Sequence, residues 1–64
     1  MHQNPLEFRS SLTTSQFQLH LYRSSIEYLN SLLDDFNSYG MIDDCKVITK
    51  VLNEKINSIV TRID

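Results

Sequence analysis

Several residue types that usually stabilise or interrupt a small protein are scarce in this chain of 64 residues. The single cysteine, Cys45, excludes an intrachain disulfide and is typical of a reducing compartment. There is one glycine, one proline and no tryptophan. No run approaches the roughly 20 apolar residues of a membrane span. The start MHQNPLEFRSS lacks the basic and apolar segments of a secretion signal. These absences predict a cytoplasmic protein without disulfides or membrane association.

The charge and ligand patterns argue against nucleic-acid and metal binding. The formal net charge is −2, with acids and bases interspersed, whereas a nucleic-acid surface is usually strongly basic. His2, His20 and Cys45 do not form a spacing that closes a metal site. The pairs Asp34-Asp35 and Asp43-Asp44 lack the alternating acids and final glutamate of a calcium loop. We therefore expect no metal, no cofactor and no direct contact with nucleic acid.

The composition is nevertheless that of a folding chain, because 41% of the residues are hydrophobic. A chain of this length buries only roughly 60% of the surface that its unfolded form exposes. Small domains without disulfides or metals are commonly stabilised by association with another chain. Length and composition therefore predict a protein that associates with itself or with a partner.

Two helix-start signals precede the first long apolar pattern. Asn4 is suited to cap a helix, and Pro5 is suited to its first turn. Residues 1–13 are thus predicted to form an arm, either a short helix of about two turns or an extended segment. Thr13 and Gln16 then have the spacing of a capping box, which favours a break just before a second helix.

A long apolar pattern follows this capping box. The residues at spacings of three or four are Leu19, Tyr22, Ile26, Leu29, Leu33 and Phe36, with Leu21, Tyr28, Leu32 and Tyr39 on one flank. The pattern is typical of one face of a helix and does not alternate as a strand would. It predicts a single helix over about residues 14–38.

Gly40 favours a chain reversal, because glycine adopts the left-handed conformation that ends many helices. Asp43 and Asp44 suit the start of a following helix, where they meet its positive dipole end. A second pattern then comprises Cys45, Ile48, Leu52, Ile56, Ile59 and Ile63, with Val47, Val51 and Val60 alongside. We predict a turn over 39–42 and a helix over about 43–63.

The predicted fold class is all-α: an antiparallel helical hairpin over 14–64, preceded by the arm. Two helices cannot cover all of the apolar residues in these patterns, and each Leu or Ile left exposed forgoes about 1.5–3 kcal/mol. Pairing of two hairpins would cover them. The sequence therefore predicts a homodimeric helical bundle.

Three features have both a functional and a structural interpretation. His20 suits a phosphorelay histidine or a partly exposed helix residue, and Cys45 suits a reactive thiol or a small packing residue. The polar face Lys46, Thr49, Lys50 and Asn53 suits a DNA-reading helix or a solvated surface. We expect the structural interpretation in each case. The tyrosines Tyr22, Tyr28 and Tyr39 suit a half-buried interface and a hairpin core equally.

The stretch LHLYRSSIEYLNSLL, residues 19–33, resembles the small AraC-negative regulators of enteric pathogens. The matching positions are Leu21-Tyr22-Arg23, Ser24-Ser25, Tyr28-Leu29 and Cys45 near the start of the second helix. The chain differs from the family pattern in having no tryptophan and a serine pair in place of alanines. The resemblance implies a short helical protein that binds an AraC-type virulence activator and lowers its activity.

The segment GMIDDCKVI, residues 40–48, is also similar to the turn region of the sporulation aspartyl-phosphate phosphatases. Those proteins are small helical hairpins with a Ser-Gln-x-Leu-Asp signature after this region. The chain continues instead with TKVLNEKIN, so this likeness implies no phosphatase activity.

The surplus apolar surface and the first resemblance predict a small non-enzymatic negative regulator that binds another protein. The predicted docking stripe comprises Leu21, Tyr22, Ile26, Tyr28, Leu29 and Leu32, and it would cover a helical surface that the activator needs. The alternatives are a structural or chaperone-like bundle subunit and a phosphorelay-associated helical hairpin.

Overall fold

Four α-helices and no strand make up residues 4–62, the part of the chain that this computed structural model describes. They are α1 (Pro5–Ser10), α2 (Thr14–Arg23), α3 (Ile26–Ser38) and α4 (Ile42–Arg62). The predicted all-α fold is therefore confirmed. His2, Ile63 and the predicted end of the last helix at residue 63 lie outside the described residues.

Helices α1 and α2 begin at the signals that the sequence predicts. The Asn4 Oδ1 atom accepts a hydrogen bond of 2.8 Å from the Leu6 amide, and Pro5 occupies the first turn of α1. The Thr13 hydroxyl accepts from the Gln16 amide at 3.1 Å, while the Gln16 side chain accepts from the Thr13 amide at 2.9 Å. The arm is thus a short helix, and a reciprocal capping box starts α2.

The prediction of one uninterrupted helix over residues 14–38 is wrong, because the chain breaks at Ser24 and Ser25. Both serines have extended backbone, with ψ angles of 154° and 160°. The Ser25 hydroxyl accepts from the Tyr28 amide at 3.1 Å and so caps α3, while the Ser24 hydroxyl donates to the His20 carbonyl at 2.6 Å. Serine side chains replace the missing helical hydrogen bonds here, which stabilises a sharp change of direction.

The reversal at Gly40 is confirmed, and its hydrogen bonds form a Schellman motif. Gly40 has a φ angle of 70°. Its amide donates to the Asn37 carbonyl and the Met41 amide donates to the Phe36 carbonyl, both at 3.0 Å. These bonds satisfy carbonyl groups that the end of α3 would otherwise leave free. Helix α4 starts at Ile42, so Asp43 and Asp44 lie in its first turn.

Helices α2, α3 and α4 surround one hydrophobic core. Its buried residues are Phe17 and Leu21 from α2, Leu29, Leu32 and Phe36 from α3, and Ile48, Val51 and Leu52 from α4. Cys45, near the start of α4, lies beside Leu33, near the end of α3, so these two helices run antiparallel. The predicted hairpin is therefore α3 and α4, with α2 folded against it.

Helix α1 covers the end of the core nearest the turn. The Phe8 ring lies 6.5 Å from Phe36, which in turn stacks on Phe17 at 5.8 Å. The Arg9 guanidinium lies 4.5 Å from the Phe17 ring centre and forms an ion pair of 3.0 Å with Asp44. We call this part of the molecule, formed by α1 and residues 39–45, the turn end.

Candidate protein-binding surface

Half of the predicted docking stripe lies in the core. Leu21 and Leu29 are fully buried, and Leu32 is 8% exposed. The prediction that these three side chains form an accessible face is wrong. The physical reason is the break at Ser24 and Ser25, which folds α2 against α3 and α4 and brings three helices around a stripe that a straight helix would expose.

The other half of the stripe remains partly accessible. Ile26 is half-buried against the core, while Tyr22 and Tyr28 are exposed over nearly half of their surface. The Tyr28 hydroxyl lies 3.0 Å from His20 Nε2. Burial, followed by the charge of Asp35, raises the pKa of the Tyr28 phenol. The two tyrosines thus have a ring in contact with protein and a polar tip near solvent.

Tyr22 joins the end of α2 to α4. Its hydroxyl donates to Glu54 Oε2 at 2.5 Å, and Lys55 Nζ donates to the Tyr22 carbonyl oxygen at 2.7 Å. The hydrogen bond to Glu54 raises the pKa of the Tyr22 phenol, with smaller contributions from burial and from the Glu54 charge. These contacts hold the chain in place immediately before the serine break.

An apolar surface lies next to that break, at the opposite end from Gly40. Ile56, Ile59 and Val60 are 45%, 49% and 59% exposed. A recess of about 290 Å³ separates them from the start of α3, and its walls are Ser24, Ser25, Ile26, Lys55, Ser58 and Ile59. We call Ile26, Ile56, Ile59 and Val60 the open-end patch.

The sequence prediction placed the α4 members of this patch in the packed face of the second helix. They remain exposed because α4 has 21 residues whereas α3 has 13, so α3 cannot cover the whole length of α4. Ile26, the first residue of α3, already lies at the level of Ile59. The sequence does contain a signal for this exposure, because the apolar pattern of α4 is longer than helix α3. That signal can be used only if α3 is known to begin after the serine break.

His20 has the surroundings of a packing residue. Its ring is half-buried, 5.2 Å from Phe8 and 5.4 Å from Tyr28, both in edge-on geometry. The imidazole therefore fills the space between α1 and α3 and shares a hydrogen bond with the Tyr28 hydroxyl. These contacts support the structural interpretation of this histidine.

Cys45 also has the surroundings of a packing residue. It is half-buried against the core, with Sγ 4.0 Å from the Leu33 carbonyl oxygen. Burial, and to a smaller extent the Asp44 charge, raise the pKa of the Cys45 thiol. Because the thiolate is the nucleophilic form, this environment weakens the thiol as a nucleophile.

The acidic residues around the turn do not converge on one point. Asp44 pairs with Arg9, whereas Asp34 and Asp35 are exposed on α3. Within residues 4–62, no group of three or more His, Cys, Asp or Glu side chains has metal-binding geometry. The polar face of Lys46, Thr49, Lys50 and Asn53 is exposed along α4.

The described helices therefore define a small all-α domain with an uncovered apolar end. None of these helices is long and apolar enough to cross a membrane. Comparison of the chain with protein-family models, curated proteins and solved structures finds no match. The resemblance to the AraC-negative regulators stays a prediction, and two of the residues that carry it, Leu21 and Leu29, are core residues here.

Proposed function

We propose that this chain is a non-enzymatic cytoplasmic regulator that binds another protein through the open-end patch. The observation that carries the proposal is the exposure of Ile56, Ile59 and Val60 beside a recess. Three large aliphatic side chains in adjacent turns of one helix form a contiguous apolar surface, which is typical of an interaction site.

The geometry of the patch suits a helical partner. Ile56, Ile59 and Val60 recur at spacings of three and four, so they line one side of α4. A partner helix laid along this side would bury the stripe and insert one apolar side chain into the recess. Each isoleucine is about half exposed, so covering it contributes about 1 kcal/mol.

An AraC-type activator is the first candidate partner, on the basis of the resemblance in residues 19–33. Under this proposal the open-end patch covers a helix that the activator uses for its own dimerisation or DNA contact. The contact surface differs from the stripe that the sequence predicts: Leu21, Leu29 and Leu32 hold the core, while Ile26 remains at the edge of the interface.

Capture of purified AraC-type activators from the same organism tests the proposal. We expect the wild-type chain to retain an activator and the double variant Ile59→Asp, Val60→Asp to lose at least about tenfold in affinity. The reason is that two carboxylates would have to be buried at the contact. Circular dichroism should show the same helix content for both proteins, because the substituted side chains lie outside the core.

The matched control is Asn57→Asp, Thr61→Asp, which adds the same two charges to the same end of α4. Both control positions are exposed and polar. Activator capture should match that of the wild-type chain. Equal capture by the Ile59→Asp, Val60→Asp protein would contradict the proposed surface, and failure of every activator to bind the wild type would contradict the proposed partner.

A further inference from the structure

A second uncovered surface runs along α4, away from the open-end patch. Two adjacent rows of residues at four-residue spacing border a groove of about 550 Å³. One row contains Ile42, Lys46, Lys50 and Glu54, and the other contains Cys45, Thr49 and Asn53. Grooves between such rows are where neighbouring helices pack in helical bundles. We call this surface the lysine groove.

Two lysines and one carboxylate, Glu54, line the lysine groove. Lys46 and Lys50 are exposed one helical turn apart. Among the side chains that the structure describes, the ion pair of Arg9 with Asp44 is the only one, so neither lysine forms an ion pair there, although Glu54 lies one turn beyond Lys50 in the same row. Like charges four residues apart destabilise a helix by a few tenths of a kcal/mol. A surface that brings carboxylates to this row would remove that repulsion.

The outer face of α3 carries the opposite charge. Between residues 26 and 38 there are three acids, Glu27, Asp34 and Asp35, and no lysine or arginine. All three are exposed. Asp35 lies in the last turn of α3, where the helix dipole disfavours negative charge. This helix would therefore also be stabilised by opposite charge from outside.

The spacing of these acids matches the spacing of the lysines. The contact of Cys45 with Leu33 shows which residues of the antiparallel helices α3 and α4 lie at the same height along the helix axes. With a rise of 1.5 Å per residue, Lys50 lies within about 1.5 Å of the level of Glu27, and Lys46 within about 3 Å of Asp34. Within one chain these groups lie on neighbouring helices without forming an ion pair.

We propose that a second copy of this chain covers the lysine groove, related by a two-fold axis parallel to α3 and α4. Rotation about such an axis does not change the position of a residue along the axis. Two residues at the same height along the helices of one copy are therefore also at the same height when one of them belongs to the second copy. The acidic face of α3 in each copy then meets the lysine groove of the other, and each pair of charges occurs twice. Lys46 pairs with Asp34 of the second copy, and Lys50 with Glu27.

Apolar contact adds to this arrangement at one end of the groove. Ile42 borders the groove and is 65% exposed, the largest exposed fraction among the big apolar side chains of the described residues. Packing of α3 from a second copy into the groove would cover it. The resulting four central helices, two from each chain, form the predicted bundle. The inference does not depend on partner binding by the open-end patch.

Charge reversal tests the arrangement by sedimentation equilibrium at low ionic strength. We expect a wild-type dimer that salt weakens. Lys46→Glu, Lys50→Glu and, separately, Glu27→Lys, Asp34→Lys should each weaken self-association by roughly 100-fold, because four exposed attractive pairs become repulsive. A mixture of the two variants should form a heterodimer, and the chain with all four substitutions should recover the homodimer.

The mixed and fourfold variants separate this arrangement from a general effect of charge. Dimers that tolerate each reversal, or a mixture of variants that stays monomeric, would overturn the proposal, as would a monomeric wild type. Circular dichroism checks folding, and Lys46→Gln, Lys50→Gln provides a milder variant with an intermediate loss of self-association. The monomeric variants should still capture an activator, so failure here is distinguishable from failure of the proposed function.

Discussion

The turn end and the open end of the molecule differ in how far their apolar side chains are buried. At the turn end, α1 lies over the core, Phe36 contacts both Phe8 and Phe17, and Arg9 pairs with Asp44. At the open end, Ile59 and its neighbours on α4 are about half exposed beside a recess.

This difference distinguishes apolar residues that stabilise the fold from apolar residues that remain exposed and can bind a partner. Three aromatic rings close one end, where their large surfaces contribute most to stability. The open end is held by polar contacts, chiefly those of Tyr22 with Glu54 and of Lys55 with the Tyr22 carbonyl. The exposed isoleucines therefore contribute little to folding, which is the expected property of a binding surface.

The largest expected effect comes from Phe36→Ala. Phe36 is fully buried and contacts both Phe8 and Phe17. We expect a loss of about 3–5 kcal/mol in the free energy of unfolding, because the substitution removes packing and leaves a cavity. A domain of this size has roughly 3–10 kcal/mol in total, so urea denaturation followed by circular dichroism should show a largely unfolded or strongly destabilised chain.

The matched variant at the open end is Ile59→Ala. It should cost about 0.5 kcal/mol, because the side chain is half exposed and lies outside the core. Similar losses for Phe36→Ala and Ile59→Ala would contradict the difference between the two ends.

An intermediate effect is expected for Gly40→Ala at the turn end. The φ angle of 70° is unfavourable for a residue with a Cβ atom, whereas a Cβ built at Gly40 meets no atom within 4 Å. The cost is therefore that of the backbone conformation alone, about 1–2 kcal/mol. Thermal unfolding measures it. Gly40→Asn is the control and should cost less, because asparagine tolerates the left-handed conformation better; an unchanged melting temperature for the alanine variant would contradict this account of the turn.

The smallest effect concerns the polar contact at the open end and appears only in alkali. The pKa of the Tyr22 phenol is raised above its ordinary value of 10.0, chiefly by the hydrogen bond to Glu54. The stability from this raised pKa is complete below pH 10.0 and is lost as the pH rises through the pKa of the folded state. Wild type should therefore lose stability above pH 10 more steeply than Tyr22→Phe, as measured by urea denaturation. Parallel pH profiles for the two proteins would contradict the contribution of this bond.

The sequence predicts helix boundaries well where a side chain or a glycine marks them locally. Asn4, Thr13 and Gly40 act at the positions that their chemistry indicates. The break at Ser24 and Ser25 also carries a local mark, because Ser25 caps α3, but a serine can equally lie within a helix. Moreover, the spacing from Tyr22 to Ile26 and on to Leu29 continues across the break as it would in a helix. The packing of α2, α3 and α4 determines the backbone conformation at the serine break, and the spacing of apolar residues does not predict that packing.

The candidate site was harder to predict for a related reason. The apolar patterns correctly show that the chain has more apolar residues than a two-helix hairpin buries, but not which ones a third helix covers. Leu21 and Leu29 are buried because α2 folds back, and Ile56 is exposed because α3 is short. Both facts depend on the location of one break.

The capping of individual helices bears on the rate at which this chain folds. Asn4, Thr13 and Ser25 each satisfy backbone amides only two or three residues away. The first turns of α1, α2 and α3 can therefore be stabilised before distant segments meet. Chains dominated by such short-range contacts usually fold within microseconds to milliseconds. Stopped-flow or temperature-jump relaxation should place this domain in that range.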